Sequence, residues 1–274
     1  VELPLRALFE APTVAALAER LSANTSNLRL PPLTRIRTEG ATPLSFAQQR
    51  LWLLDQLSPG DVSYNIPTAL RLLGRVDVEA LRRAFEALIR RHESLRTTLS
   101  APDEEPSQHI HAASGWDLPV TDLTHLPESQ RDEEAQRVAV TEARRPFHLA
   151  TGPLMRSALV RLSEEEHLLL VTMHHIVSDG WSMGVLVREV AAFYEALSTG
   201  RTPSLPPLPM QYADYATWQR EWLQGEALDA QVGYWKQQLS GAPAALELPT
   251  DRPRPPTQSH RGSTVPVRLS LPVS

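Results

Sequence analysis

His167 to Ser182 reads HLLLVTMHHIVSDGWS. The part up to Ile176 is dense in Leu and Val, too apolar for an edge, which predicts a central strand covered on both faces. That strand delivers two adjacent histidines, His174 and His175, and then breaks at Asp179-Gly180. A helix should follow from about Ser182 to Leu197, where Met183, Leu186, Val190, Phe193 and Leu197 recur at three- and four-residue steps. Glu164-Glu165-Glu166, just ahead of the strand, reads as a solvated hairpin turn. Working outward, helices are expected at Phe46 to Leu57 and at Val78 to His92, the second with Leu81, Ala84, Phe85, Leu88 and Ile89 on one face. Helix alternating with strand in this way argues an α/β fold, a mixed sandwich of sheet and helices.

The 274 residues are 42% apolar and 22% charged with a net charge of -5, which excludes disorder as the main state. The chain has no cysteine, so disulfides, thiolate metal sites and cysteine nucleophiles are excluded. No apolar run approaches the ~20 residues that span a bilayer, and the opening Val-Glu-Leu-Pro has no signal-peptide character; a cytoplasmic chain is expected. Against 32 acidic residues the 27 basic ones are scattered, which argues against a nucleic-acid partner. The 24 prolines mark linkers: Ser22 to Thr42, Arg201 to Pro209 and Leu248 to Pro256. Before the first of these, Pro12-Thr13 followed by Val14, Leu17 and Leu21 predicts a capped amphipathic helix.

Adjacent strand residues point to opposite faces, so one histidine of the pair can face a cleft while the other packs behind it. The same geometry makes a metal ion shared by both a poor fit, and no metal site is expected. Read without other information, a His pair at a strand end is more often packing than catalysis. The Asp-Gly break beside it shifts that balance, because Gly180 allows a tight turn and leaves backbone N–H groups at a helix N-terminus, where a developing oxyanion could be held. Asp179 has two readings, a carboxylate relaying to His175 or a structural one that caps or pairs, and its place at a strand–helix break suits the second. His92 reads as a satisfied core histidine. The sequence holds no G-x-S-x-G, no glycine-rich phosphate loop and no H-E-x-x-H.

HHIVSDG also matches the HHxxxDG pattern of nonribosomal peptide synthetase condensation domains. Three further segments resemble that family in the same order: SFAQQRLWLL at Ser45 to Leu54, RHESLRTTL at Arg91 to Leu99 and YADYATWQR at Tyr212 to Arg220. The resemblance runs over 43–274 and implies a chloramphenicol-acetyltransferase-like α+β lobe, a mixed sheet covered by helices, with the start of a second lobe. Family members continue well beyond, so it also implies a truncated domain with half a tunnel, inactive as an isolated fragment. Residues 1–22 resemble the C-terminal end of a peptidyl carrier domain, downstream of the serine that would carry phosphopantetheine, and 23–42 reads as the linker between the two.

What the resemblance implies for function is amide-bond formation between a carrier-bound donor acyl or peptidyl thioester and the amine of a carrier-bound acceptor. His175 would face the tunnel and take or position the amine proton. An α-amino group has a pKa near ~7.7–8, so orientation is expected to matter more than strong basicity. Asp179 is expected to pair with a motif arginine, Arg50, Arg91 or Arg96. Gly180 would act through its backbone, His174 would be packed inside, and Ser45, Gln48 and Trp218 would be scaffold or tunnel wall. The lobe itself would bind no cofactor; its partners would be upstream and downstream carrier domains and an adenylation domain of the parent chain. The DxxxxD of cyclization domains is absent here, and the SFAQQRLW form argues for an L-residue donor rather than an epimerization-type relative. The alternative is a non-catalytic condensation-like docking platform, a class that tends to lose the histidine kept here.

Overall fold

The structure is a computed structural model that describes residues 10–23, 30–36, 40–101, 105–243, 245–246, 248–253 and 265. Its elements in chain order are α1 (Val14–Ala23), β1 (Ala41–Pro43), α2 (Phe46–Leu57), β2 (Asn65–Leu73), α3 (Val78–Arg91), a 3-10 turn (Glu93–Arg96), β3 (Thr97–Ser100), β4 (Ser107–Ile110), β5 (Val120–Asp122), α4 (Glu128–Ala143), β6 (Met155–Ser163), β7 (Glu166–His174), α5 (Gly180–Ser198), α6 (Tyr212–Trp222) and α7 (Gly225–Gln238).

The larger sheet has the order β2-β7-β6-β5. β7 is therefore flanked on both sides, by β2 over nine antiparallel residue pairs and by β6 through a hairpin that turns at Glu164-Glu165. The short β5 runs parallel to β6 and makes the sheet mixed. Side-chain alternation splits the two central strands between layers. Met155 and Leu159 of β6 and Leu169, Val171 and Met173 of β7 meet α3 and α5, whose Phe85, Leu88, Leu186, Val190 and Phe193 fill the other side of the same core. Val160, Leu162 and Leu170 point the opposite way and pack with Ala135 of α4. Phe85 is fully buried at this junction, a burial that contributes about 1.5–3 kcal/mol.

A second antiparallel sheet, β1-β4-β3, lies beside the first. Its Leu99 joins Leu44, Leu51, Phe147, Leu149, Leu154 and Ile176 in a separate cluster, which ties α2 to the loop that follows β7. α2 starts where expected because Ser45 and Gln48 close a reciprocal capping box. Asp77 caps α3 through the Ala80 N–H.

The elements depart from the sequence reading at several ends. β7 stops at His174 rather than Ile176, because the Val177 N–H returns to the His174 carbonyl and closes a turn. α5 begins at Gly180, two residues early, since Asp179 caps it. His92 is not on the apolar face of α3 but caps its C-terminus. The stretch expected as a bare linker is fixed at its described parts. Thr42 is buried in β1, opposite Gln108, the Ile36 N–H binds Asp214 Oδ1 and the Trp218 indole N–H binds the Pro31 carbonyl. Residues 1–9 and 24–29, and almost all of the tail beyond 253, lie outside the described residues. On α7, Tyr234 and Trp235 are more than half exposed, as is Leu239 just after it. No helix among the described residues is long and apolar enough to cross a membrane.

Candidate active site

Two backbone hydrogen bonds keep the end of β7 extended through both histidines: His174 N–H to the Leu154 carbonyl, 3.0 Å, and His175 N–H to the Tyr64 carbonyl, 2.8 Å. Alternation then separates the two rings. His174 is 3% exposed, whereas His175 stands in the open. The buried ring lies between Tyr64 and Phe147, with centroids 6.3 and 6.0 Å away. Its Nδ1 accepts the Ile176 N–H at 3.1 Å, which assigns the proton of the neutral ring to Nε2. Burial, with a smaller contribution from the neighbouring His175, pushes its pKa down to about 4, so His174 is neutral at pH 7.

The exposed ring has the opposite tautomer. His175 Nδ1 lies 2.9 Å from the Ser178 carbonyl oxygen. A carbonyl only accepts, so Nδ1 carries the hydrogen and the Nε2 lone pair of the neutral ring is left for a substrate proton.

Among the described residues Asp179 does not pair with an arginine. Its Oδ1 accepts from the Ser182 hydroxyl at 2.7 Å and from the Ser182 N–H at 2.8 Å, the geometry of a helix N-cap. The Ser182 hydroxyl first, then the Ser182 N–H, hold its pKa below the ordinary carboxylate value against a small opposing effect of burial, with the Trp181 N–H and His175 adding to the depression. The three arginines expected to meet it are elsewhere. Arg91 forks onto Glu189, with Nε 3.1 Å from Oε2; Arg96 reaches Glu93 at 3.5 Å and the His111 carbonyl; Arg50 is exposed. Among the described residues no arginine reaches Asp179. The cap is local, three residues along the chain, and satisfies helix N–H groups that would otherwise lack partners. Arg91 is claimed by the more buried Glu189, which would be costly to leave unpaired and which also receives His92 Nε2 at 2.6 Å.

Gly180 also differs from expectation. It opens α5 without a left-handed φ, and a Cβ there would meet nothing within 4 Å, so neither the turn nor the packing demands glycine. Two of the N–H groups considered for an oxyanion, those of Trp181 and Ser182, are already engaged by Asp179.

Ser45 and Gln48 are buried scaffold rather than cleft wall: beyond their mutual cap, Gln48 Nε2 reaches Gln108 at 3.4 Å. Trp218 stacks on Trp222 with centroids 5.3 Å apart and anchors the segment before β1. The Ser45 hydroxyl lies 2.9 Å from the hydroxyl of Tyr212, a residue the sequence reading did not single out. Burial raises the Tyr212 pKa, the Ser45 hydroxyl lowers it, and Tyr215 and Asp179 add smaller rises. The carbonyls of Tyr64 and Ser178 were also missed, because a backbone acceptor has no signature in the sequence. Trp181, 86% exposed on the first turn of α5, was the one omission with a visible signal, an aromatic beside an Asp-Gly break.

Residues 38–273 match the model of the condensation domain. A linear gramicidin synthase protein of Brevibacillus parabrevis is 50% identical over 272 residues, which are 98% of this chain and 4% of that protein. Phosphinothricin tripeptide synthetase PhsC of Streptomyces viridochromogenes is 47% identical over 234 residues, 85% of this chain and 21% of that one. Among solved structures, the X-domain from teicoplanin biosynthesis superposes with a TM-score of 0.72 at 35% identity, over 82% of this chain and 49% of its own. The starter condensation domain of rhizomide synthetase shares the fold, with a TM-score of 0.68 at 24% identity, over 75% of this chain and 49% of its own. The mixed sheet between helical layers is thus the chloramphenicol-acetyltransferase-like lobe, and the chain spans about half of those solved domains and a small part of the synthetases.

Proposed function

The chain belongs to the condensation-domain family, and on that premise we propose that it takes part in amide-bond formation during nonribosomal peptide synthesis. The substrates in this reading are a donor acyl or peptidyl thioester and an acceptor aminoacyl thioester, each delivered by a carrier domain. The amine nitrogen attacks the thioester carbonyl, a C–N bond forms, the C–S bond breaks, and the amine proton passes through His175 to the departing thiolate. The observation that carries the reading is the separation of the pair: His174 buried and neutral, His175 exposed, with Nδ1 held by Ser178 and Nε2 left free to meet a substrate. His175 acts chiefly as an orienter, since the α-amine already has a sizeable neutral fraction near pH 7. Asp179 serves as the cap that fixes the loop bearing it. The L-donor subclass, the carrier and adenylation partners and a cytoplasmic setting belong to the same reading.

A second reading has its own support. The X-domain likeness is at higher identity than that to the starter condensation domain, and one X-domain structure is a complex with OxyB. In that reading the lobe is a docking platform. Single-turnover amide formation by the full-length protein, with two loaded carriers, decides between them: product that requires His175 supports catalysis, while no product together with stable capture of a partner enzyme supports docking.

A further inference from the structure

Beside the His175 loop, the C-terminal end of α3 and the first turns of α5 line a half-open cavity of about 190 Å³. Met173 lines it, two residues before His175 on an extended chain, so the two side chains leave the same face. Ser178, whose carbonyl holds His175 Nδ1, lines it as well. The cavity and the imidazole therefore share one short loop.

Its chemistry is narrow. Leu88, Leu95, Met173, Val185 and Leu186 belong to its apolar lining, Ser94, Ser178 and Ser182 line it as well, and among the described residues no Asp, Glu, Lys or Arg contributes to it. The one ionisable residue, His92, is already held by Glu189 at 2.6 Å. A charged group inside would find no partner, and burying an unpaired charge is strongly unfavourable. An apolar cavity of about 150 Å³ accommodates benzene, so this one has room for a branched aliphatic chain or a single aromatic ring.

We propose that this cavity is the side-chain pocket of the reaction, selecting a substrate residue with an uncharged apolar side chain of Val to Phe size. The inference rests on the reading of His175 as the reacting centre. The same side-chain chemistry could come from the donor or from the acceptor, and the assay separates the two. In the full-length protein, amide formation is measured in single turnover with glycine fixed as acceptor and Gly, Ala, Leu, Phe, Trp, Asp and Lys varied as donor, then with the roles exchanged. Leu and Phe should exceed Asp, Lys and Trp by about 10-fold or more on one side only, and that side identifies the source. Val185, half-buried in the wall and outside the reacting groups, is the residue to change. Val185→Phe should reduce Leu and Phe turnover by about 10-fold or more while leaving Gly unchanged. Val185→Ala should raise turnover of Trp, and it carries the test where the larger residue prevents folding. A flat profile on both sides, or a Val185→Phe loss as large for Gly as for Leu, overturns the proposal. Binding of unreactive leucyl and aspartyl thioether analogues, followed by saturation-transfer NMR, runs in parallel. Leucyl binding lost in Val185→Phe without any amide product would sink the catalytic reading and keep the pocket, whereas amide product with no preference sinks the pocket alone.

Discussion

His175 Nδ1 sits 2.9 Å from the carbonyl oxygen of Ser178, three residues on, and that single contact fixes which ring nitrogen is left for a substrate. The contact is made by backbone, so it orients the imidazole without introducing a charge. Replacing the ring by a methyl group, His175→Ala, should lower single-turnover amide formation by at least ~100-fold, the low end for a proton-handling group. The thermal midpoint should barely move, because the ring is exposed. A nearly unchanged rate would show that the imidazole is dispensable.

Ser178 separates the role of its carbonyl from that of its side chain. The hydroxyl is buried and has no hydrogen-bond partner among the described residues. An unsatisfied buried polar atom is a net cost of about 1–3 kcal/mol, so Ser178→Ala should leave stability equal or raise it by up to about 1 kcal/mol. Activity should persist because the carbonyl that holds His175 remains. Denaturant unfolding and single-turnover rates check both parts, and a large fall in rate would mean that the hydroxyl, not the carbonyl, does the work.

His174 makes stability depend on pH in a defined window. Its folded pKa is depressed to about 4 from the ordinary 6.5, so between those values the unfolded chain binds more protons than the folded one. This contribution is complete above about pH 6.5 and is lost as pH falls toward 4. A depression of that size corresponds to about 3 kcal/mol at most. His174→Asn keeps an acceptor for the Ile176 N–H and removes the titration, so its thermal midpoint should fall less steeply than that of the wild type from pH 6.5 to pH 4. Equal slopes would show that His174 does not titrate there.

What the sequence disclosed follows physical range. β7 was legible because a Leu- and Val-rich run announces a central strand, and alternation sends the rings of His174 and His175 to opposite faces, while only the family resemblance said which of the two would face outward. α2 was legible to the residue, its start set by the Ser45–Gln48 box. β1, β3, β4 and β5, at three or four residues each, are too short to display a period. In β2, which carries Pro67, half-buried residues alternate with exposed ones and become a strand through pairing with β7. The partner of Asp179 was misassigned because motif segments far apart in sequence supply arginines, and only the fold shows which carboxylate each one meets. A signal did exist for the true partner of Arg91: Glu189 interrupts the apolar stripe of Leu186, Val190 and Phe193, and a carboxylate on a buried face needs a cation.

That exchange of partners reverses an expectation about stability. Had Asp179 been the buried member of an ion pair, its loss would have cost several kcal/mol. As an exposed N-cap, Asp179→Ala should cost about 1 kcal/mol, within the usual 0.5–2 kcal/mol for a cap. Asp179→Ser should restore most of it, since a hydroxyl also accepts from the N–H at the third helical position. The folded pKa of Asp179 is depressed, so its contribution is present above the ordinary carboxylate value of 3.8 and is lost as pH falls through the lower folded value; wild type and Asp179→Ala should converge in stability at strongly acidic pH. Glu189 is the residue with the larger effect. It is buried, receives both Arg91 and His92, and bridges the end of α3 to α5. Glu189→Ala leaves the half-buried guanidinium of Arg91 without its partner and should destabilise the lobe by about 3 kcal/mol, the low end for breaking a buried pair. The double variant Glu189→Ala with Arg91→Met should recover a good part of that loss, because removing both charges is far cheaper than removing one. Denaturant midpoints of the wild type and these four variants at pH 7 test the order directly. Asp179→Ala falling as far as Glu189→Ala would return the buried ion pair to Asp179.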